Sequence, residues 1–491
     1  MADVARAAIG IPGLDLILQG GLPVNRLYLV EGDPGVGKTT LALQFLLHGV
    51  ANGESALYIT MSETEAEIRS IASSHGWSLD GLAMFELSAL EQQMKLETQN
   101  TVFRPSDVEL TETTRAILAY VEKTKPQRVV FDSLSELRLL AQNPLRYRRE
   151  VLNLKQYFTG KQSTVLLLDD RTSEPGDMQL QSLAHGVLSL QQLPPEYGGD
   201  RRRLRVMKLR GSPFHSGYHD FTIRHGGLDV FPRLVAADHE ANYERVDVSS
   251  GLTELDTMLG GGLTKGTSTL IIGPAGVGKS AIASLYATAA ARRGERAVIF
   301  AFDELRRTTI ERADALGMNM TELIEAGRLI VQQVDPAELS PGELAHRARE
   351  LVEKDGFSFV VIDSLNGYMQ SMPAEKYLYI QLHELLSYFG QCGATTIMMM
   401  AQSGIIGTTV SPADVSYVAD SVLLLRYFEA LGHVRKAISV IKKRTGRHES
   451  TIRELTFSDA RLALGAPLTE FRGVLSTAPE YFGDKLELEN R

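Results

Sequence analysis

A chain of 491 residues exceeds the size at which one hydrophobic core stops growing, so two domains of roughly 240 residues each are expected. With 44% hydrophobic and 23% charged residues the composition is that of an ordinary globular protein, and a formal net charge of −9 argues against broad electrostatic capture of nucleic acid or acidic membrane. Cys392 is the single cysteine, which excludes an internal disulfide and fits a reducing compartment. No run of about 18 apolar residues occurs, and the first residues lack a basic segment followed by an apolar stretch, so a cytoplasmic protein without a membrane span is expected.

In chain order, Gly13-Leu14-Asp15 precedes Gly20-Gly21-Leu22, and an apolar strand is predicted over Leu27 to Val30. Gly32-Asp33-Pro34-Gly35-Val36-Gly37-Lys38-Thr39 then satisfies G-x-x-x-x-G-K-[ST] completely. Glycines let backbone N–H groups fold around phosphate oxygens, the lysine adds a charge at the β/γ oxygens, and the hydroxyl suits Mg²⁺. A helix from Thr39 to Gly49 and a strand over Ala56 to Ile59 follow. Ser62-Glu63 stands just after that strand, where a carboxylate can orient a water opposite the leaving oxygen; a solvated acid at a helix start is the other reading. Arg128-Val129-Val130-Phe131-Asp132-Ser133 ends a later strand in an aspartate suited to the Mg²⁺ shell, or to capping the helix that begins at Leu134.

The second half repeats this order. Leu255-Asp256 precedes Gly261-Gly262-Leu263, a strand covers Thr269 to Ile272, and Gly273-Pro274-Ala275-Gly276-Val277-Gly278-Lys279-Ser280 forms a second complete phosphate loop. The two lysines are 279 − 38 = 241 positions apart, and so are Asp15 and Asp256, a period that means duplicated domains. A helix from Ser280 to Ala291, a strand over Ala297 to Phe300, the acid pair Asp303-Glu304, and Phe359-Val360-Val361-Ile362-Asp363-Ser364 complete the match. Strands alternating with helices predict an α/β fold, two tandem phosphate-loop domains with mostly parallel sheets flanked by helices, over residues 1–236 and 237–491. The polar stretch from Arg233 to Val246 is the expected linker.

Two cationic triplets on late strands, Lys208-Leu209-Arg210 and Lys442-Lys443-Arg444, lie far from each loop in sequence, so they are expected to serve an adjacent subunit. The basic run Arg201-Arg202-Arg203-Leu204-Arg205 follows Gly198-Gly199-Asp200 and reads as a turn entering a strand with its charges in solvent.

These residues resemble the KaiC family of tandem RecA-like ATPases, whose best-known members run the cyanobacterial circadian clock. The resemblance covers nearly the whole chain and rests on both phosphate loops, His75-Gly76-Trp77-Ser78-Leu79, Asp303-Glu304, Lys208-Leu209-Arg210-Gly211 and Phe471-Arg472-Gly473-Val474-Leu475. It implies a double-ringed homohexamer with ATP and Mg²⁺ between subunits. The implied ATP-binding residues are Gly35, Val36, Gly37, Lys38, Thr39, Thr40, Ser74, Lys208, Leu209 and Arg210 in the first half. In the second they are Gly276, Val277, Gly278, Lys279, Ser280, Ala281, Leu316, Lys436, Lys442, Lys443 and Arg444. Glu63, Asp303 and Glu304 are the expected catalytic acids, with Thr39, Ser280, Asp132, Asp363 and Asp303 about the metal.

Leu316 stands where the family usually presents an aromatic residue to the base, and Ser416-Tyr417 stands where it carries an adjacent serine and threonine that are phosphorylated. Autophosphorylation is therefore expected at Ser416 without an ordered two-site cycle; Ser416 also reads simply as the approach to the strand Val422-Leu423-Leu424-Leu425. The first site, with one acid, is expected mainly to bind ATP and hold the assembly, and the second to carry the chemistry. The acidic stretch from Thr477 to Arg491 offers a contact for a regulatory protein partner.

Two other readings carry different tests. A DNA-handling relative of the recombinases and helicases would need basic loops, and Ser173 to Gln179 and Ser403 to Thr409 contain no lysine or arginine. A scaffold that uses ATP only for assembly would show no turnover. The histidines, His185, His225 and His433 among them, show no metal-ligand spacing.

Overall fold

The computed structural model describes residues 5–87, 105–170, 179–194, 198–239, 241–370, 378–402, 417–430, 432–458, 461–475 and 480–482. The chain divides into two compact units, Met1–Arg233 and Leu234–Arg491. The division falls at the start of the polar stretch read as the linker. Leu234 and Ala236, assigned above to the first domain, are instead buried with Leu382, Leu386 and Phe389 in the core of the second unit.

The first unit is built on a nine-stranded sheet with Leu27–Glu31, the strand feeding the phosphate loop, at its centre. Thr164–Asp169, Arg128–Asp132, Ala56–Thr60 and Leu82–Glu86 follow on one side in parallel, and Gly186–Leu193 is parallel on the other. Arg201–Leu209, His219–Arg224 and Gly227–Phe231 then run antiparallel to the edge. The parallel strands read as near-continuous apolar runs because helices cover both faces: one core packs Val30, Tyr58 and Leu166 beneath the helix Lys38–Ala51, the other packs Leu29, Ile59 and Phe131.

The second sheet has the same order about Ser268–Gly273: Thr395–Ala401, Phe357–Asp363, Arg296–Ala301 and Leu329–Gln333 lie on one side in parallel, and Ser421–Ala430 on the other. Three antiparallel strands, His433–Lys443, Ile452–Ser458 and Arg461–Pro467, complete it. In both sheets the phosphate loop therefore leaves the carboxyl end of a central parallel strand, the end at which ligands of open α/β sheets bind.

Arg201 to Arg205 enter a strand as expected, and Arg205 is exposed, but Arg201 and Arg203 are not left in solvent. Arg201 is buried, and Arg203 stacks over the Tyr218 ring at 4.1 Å. Among the described residues no helix is long and apolar enough to cross a membrane.

Candidate functional site

Each phosphate loop turns on glycines in the left-handed region. Gly37 (φ 109°) and Gly278 (φ 117°) sit at the helix starts, and a Cβ there would meet Ile223 at 2.6 Å or Phe457 at 2.7 Å. Only glycine lets the loop close against those strands. At Gly35 a Cβ would meet nothing within 4 Å, so the outer rim of the loop is open. Val36 and Val277 turn their side chains into the cores.

Both lysines fold back over their loops. Lys38 Nζ donates to the carbonyls of Gly32 and Asp33 at 2.8 and 2.9 Å, and Lys279 Nζ to those of Gly273 and Pro274 at 2.9 and 2.8 Å. Burial lowers the Lys279 pKa, a pull partly offset by Asp363 and Asp303. Lys38 has a further partner, Asp170 Oδ1 at 2.8 Å. Burial pushes the Asp170 carboxyl up, but the hydrogen bond and charge of Lys38 and the hydroxyls of Ser135 and Ser133 outweigh it and hold the pKa below the ordinary carboxylate value. The sheet register pairs Glu31 with Asp169 and Ile272 with Met400, so the next residue along is Asp170 in one unit and Ala401 in the other. The second lysine has no carboxylate at that place.

The strand-end aspartates face the loop hydroxyls. Thr39 Oγ1 donates to Asp132 Oδ2 at 2.9 Å, the Tyr58 hydroxyl donates to the same oxygen, and Ser280 donates to Asp363. Asp132 does not cap the next helix, whose N-cap, Ser133, makes no side-chain capping bond. Burial raises both carboxyls, against the pull of those hydroxyls, and that of Asp363 reaches about 6. A threonine or serine hydroxyl beside a buried carboxylate, under a lysine, is a donor set that fits a hard cation and a nucleotide phosphate.

The acids after the second strands differ. Glu63 is half-buried, its Oε2 is buried with no partner among the described residues, and burial followed by the charge of Asp132 raises its pKa. Glu304 is engaged through both oxygens by Arg312 Nη1, at 2.6 Å to Oε2, and also accepts from Thr309 Oγ1 at 3.3 Å. Asp303 accepts from Ser364.

Within the second unit one cavity of about 360 Å³ gathers Gly276, Gly278, Lys279, Ser280, Ala281, Glu304 and Leu316 with Lys436. That volume lies at the lower end of the range for small-molecule sites. Sequence reasoning missed three of its lining residues, Arg312, Ala315 and Phe457; Lys436 lies over the Phe457 ring at 4.3 Å, and Arg312 reaches back to Glu304, which precedes its helix. It also missed Tyr58, in the middle of the strand Ala56–Thr60, and Asp170 and Ser364, whose sole signal was a polar residue just past the end of an apolar strand. Lys436 was expected, but its ring partner was not.

Other expected residues lie outside that cavity. Lys208 and Arg210 donate to the carbonyls of Gln181 and Ser182, and Lys442 and Arg444 to those of Ala419 and Tyr417. Lys443 holds the carbonyls of Leu259 and Gly262, Leu209 is buried, and the exposed Ser74 donates to Ile71 O at 2.7 Å. Thr40 is buried beside Lys38 on the loop helix. His185 precedes a strand, where burial and then the charges of Lys155 and Arg26 push its pKa down to about 4. Ser416, the loops after Thr164–Asp169 and Thr395–Ala401 (apart from Gln179), and most of the acidic C-terminal stretch lie outside the described residues.

Comparison with known proteins accounts for the duplication. The family model described as ATPase: KaiC matches twice, over residues 7–235 and 248–464. The circadian clock oscillator protein KaiC of Parathermosynechococcus lividus is 28% identical over 500 residues, covering 98% of this chain and 89% of its own length. The circadian clock protein KaiC3 of Synechocystis is 25% identical over 490 residues, with 97% and 95% covered. The circadian clock oscillator protein KaiC of Synechococcus elongatus is 27% identical over 485 residues, with 97% and 92% covered. With two family matches falling on two like-ordered sheets, each carrying a complete phosphate loop, this chain belongs to the KaiC family of ATPases.

Proposed function

We propose that both units bind ATP with Mg²⁺ and that the chain is an ATP-hydrolysing signalling or clock protein of a homohexamer, with ATP at subunit interfaces. The observation that carries this reading is the repeated arrangement of a loop lysine, a loop hydroxyl and a buried strand-end aspartate, Lys38–Thr39–Asp132 and Lys279–Ser280–Asp363. Loop N–H groups and the lysine bind the phosphates, and Thr39 with Asp132, or Ser280 with Asp363, would hold the cation, which supplies charge neutralisation at the β and γ oxygens. In the first site Glu63 orients the attacking water and takes its proton as the water oxygen bonds to the γ phosphorus; the bond to the β–γ bridging oxygen breaks, and that oxygen leaves with the electron pair.

Lys208, Arg210, Lys442 and Arg444 present their charges to the neighbouring subunit's nucleotide, anchored meanwhile on carbonyls of their own chain. In the second unit the γ-phosphoryl group is also transferred to Ser416 Oγ, whose proton passes to a carboxylate of the Asp303, Glu304 pair. Regulatory proteins dock on the ring faces or the C-terminal stretch.

Release of ADP from the purified protein, compared with Lys38→Ala and Lys279→Ala, tests the enzyme; turnover no higher than in the doubly substituted chain would leave an ATP-assembled scaffold. Intact mass after incubation with ATP and Mg²⁺ should rise by one phosphate that Ser416→Ala abolishes. Particle mass with and without nucleotide tests the hexamer, and a monomer under both conditions would remove the interface argument.

A further inference from the structure

The helix after the second strand corresponds between the units at the repeat spacing: Glu65–Ser74 and Arg306–Ala315, with 306 − 65 = 241. At that spacing Arg312 stands where the first unit has Ile71 (312 − 71 = 241) and Thr309 where it has Ile68. The substitution of an arginine for an isoleucine changes the site, because Arg312 lines the cavity and spends Nη1 on both oxygens of Glu304. Its Nε and Nη2 are buried and have no acceptor among the described residues. A guanidinium with spare, buried donors at the wall of a phosphate-loop cavity is suited to an anionic oxygen. Meanwhile a carboxylate bonded to a cation through both oxygens is a poor acceptor for a water proton. Among the described residues Glu63 has no such cation acting on it, and its Oε2 has no partner.

We infer that Arg312 is a positioning residue that restrains Glu304 in the second site and releases it when nucleotide phosphate draws the guanidinium into the cavity. The inference rests on the reading of Glu304 as a water-orienting acid. The restraint makes turnover at the second site depend on a nucleotide seated deeply enough to compete for Arg312, a dependence the first site lacks. A partial gate of this kind slows the site without disabling it, since the pair is neither fully buried nor closed off from the ligand (side chains 29% and 34% exposed).

The test uses the full chain carrying Glu63→Gln, which silences first-site chemistry while leaving its phosphate loop intact. Adding Arg312→Ala is expected to raise kcat for ADP release about fivefold, the factor set by losing one partly exposed ion pair, and to raise KM for ATP as a phosphate contact is lost. Arg312→Gln, which keeps most of the side-chain volume, should show the same pair of changes. With Glu304→Gln added, the gain in kcat should vanish. A fall in kcat in both arginine variants, or a gain that survives Glu304→Gln, overturns the restraint. Lys279→Ala in the same background separates the underlying reading: if turnover persists there, the second site is not the one being measured, and the assignment of Glu304 falls whatever Arg312 does.

Discussion

Two sites with the same loop, the same hydroxyl and the same strand-end aspartate differ in which group is held by an ion pair. In the first unit the cation is held, Lys38 by Asp170, while the acid Glu63 keeps a buried, unpartnered oxygen. In the second the acid is held, Glu304 by Arg312, while Lys279 is bonded through loop carbonyls. Counting acids alone favours the second site for chemistry, since it has Asp303 and Glu304 where the first has Ser62 and Glu63. Their hydrogen bonds qualify that ranking: a single acid free to accept a proton can outperform two that are occupied. The two sites thus differ both in one motif residue, Ser62 against Asp303, and in the partners of the residues they share.

The sharpest way to break the comparison is to remove the acid that is free. Glu63→Gln keeps the volume and the neighbouring contacts but cannot take a proton, and first-site turnover, measured as ADP release in a Lys279→Ala background, should fall about a hundredfold. If it falls less than threefold, the first site is a binding site, as the acid count suggests. Next in size is the pH response of the second site. Asp363 titrates at about 6, so its ionised form, the one that accepts from Ser280 and would face the cation, is lost as pH falls through 6. Mg²⁺-dependent nucleotide binding to a Lys38→Ala chain should drop about tenfold per pH unit below that point. The stability sign is opposite. Because the folded pKa lies above the unfolded value near 3.8, the native state binds the proton more tightly, and the contribution of Asp363 to stability declines as pH rises from about 4 to 6. A binding profile flat between pH 7 and 5 would show that Asp363 does not face the cation.

The fold was legible because its signals are local and repeated. Apolar runs such as Val129 to Phe131 and Val360 to Ile362 mark buried parallel strands, and the phosphate loops and the acids after the second strand repeat at a spacing of 279 − 38 = 241. Loop lysine, hydroxyl and strand-end aspartate come together because the loop leaves the carboxyl end of the central strand and the aspartate ends a parallel strand one place removed in the same sheet. What stayed hidden depends on pairing across the sheet or along a helix. Asp170 meets Lys38 through the register of Leu27–Glu31 with Thr164–Asp169, 132 positions away (170 − 38 = 132), and no local pattern encodes that. Arg312 belongs to no motif, and it reaches back eight positions to Glu304, which lies outside the helix that starts at Arg306. The solvent reading of Arg201 failed because the strand it enters is flanked on both sides, by Gly186–Leu193 and His219–Arg224.

A smaller change should make the lysines alike. Asp170→Ala gives the first unit the residue the second has at Ala401, leaving Lys38 with carbonyl acceptors as Lys279 is left. Freed of its counter-charge, Lys38 should bind phosphate more tightly, by about 1 kcal/mol or about fivefold in Kd, read by nucleotide titration of a Lys279→Ala chain. Unchanged or weaker affinity would mean that Asp170 positions the lysine productively, and that the two sites differ less than their ion pairs suggest.

The smallest expected effect concerns Leu316, which lines the second cavity together with Ala315, Lys436 and Phe457. A leucine offers a base apolar contact without a π face, so stacking there has no ring to use. Leu316→Tyr restores an aromatic surface on a residue at a helix C-cap, outside the hydrogen-bonded interior of Arg306–Ala315. It should tighten ATP by about 1 kcal/mol, roughly fivefold, while leaving inorganic triphosphate unaffected, since stacking acts on the base alone. Equal gains for ATP and triphosphate would mean that the ring acts by closing the cavity over the phosphates, and would move the base away from Leu316.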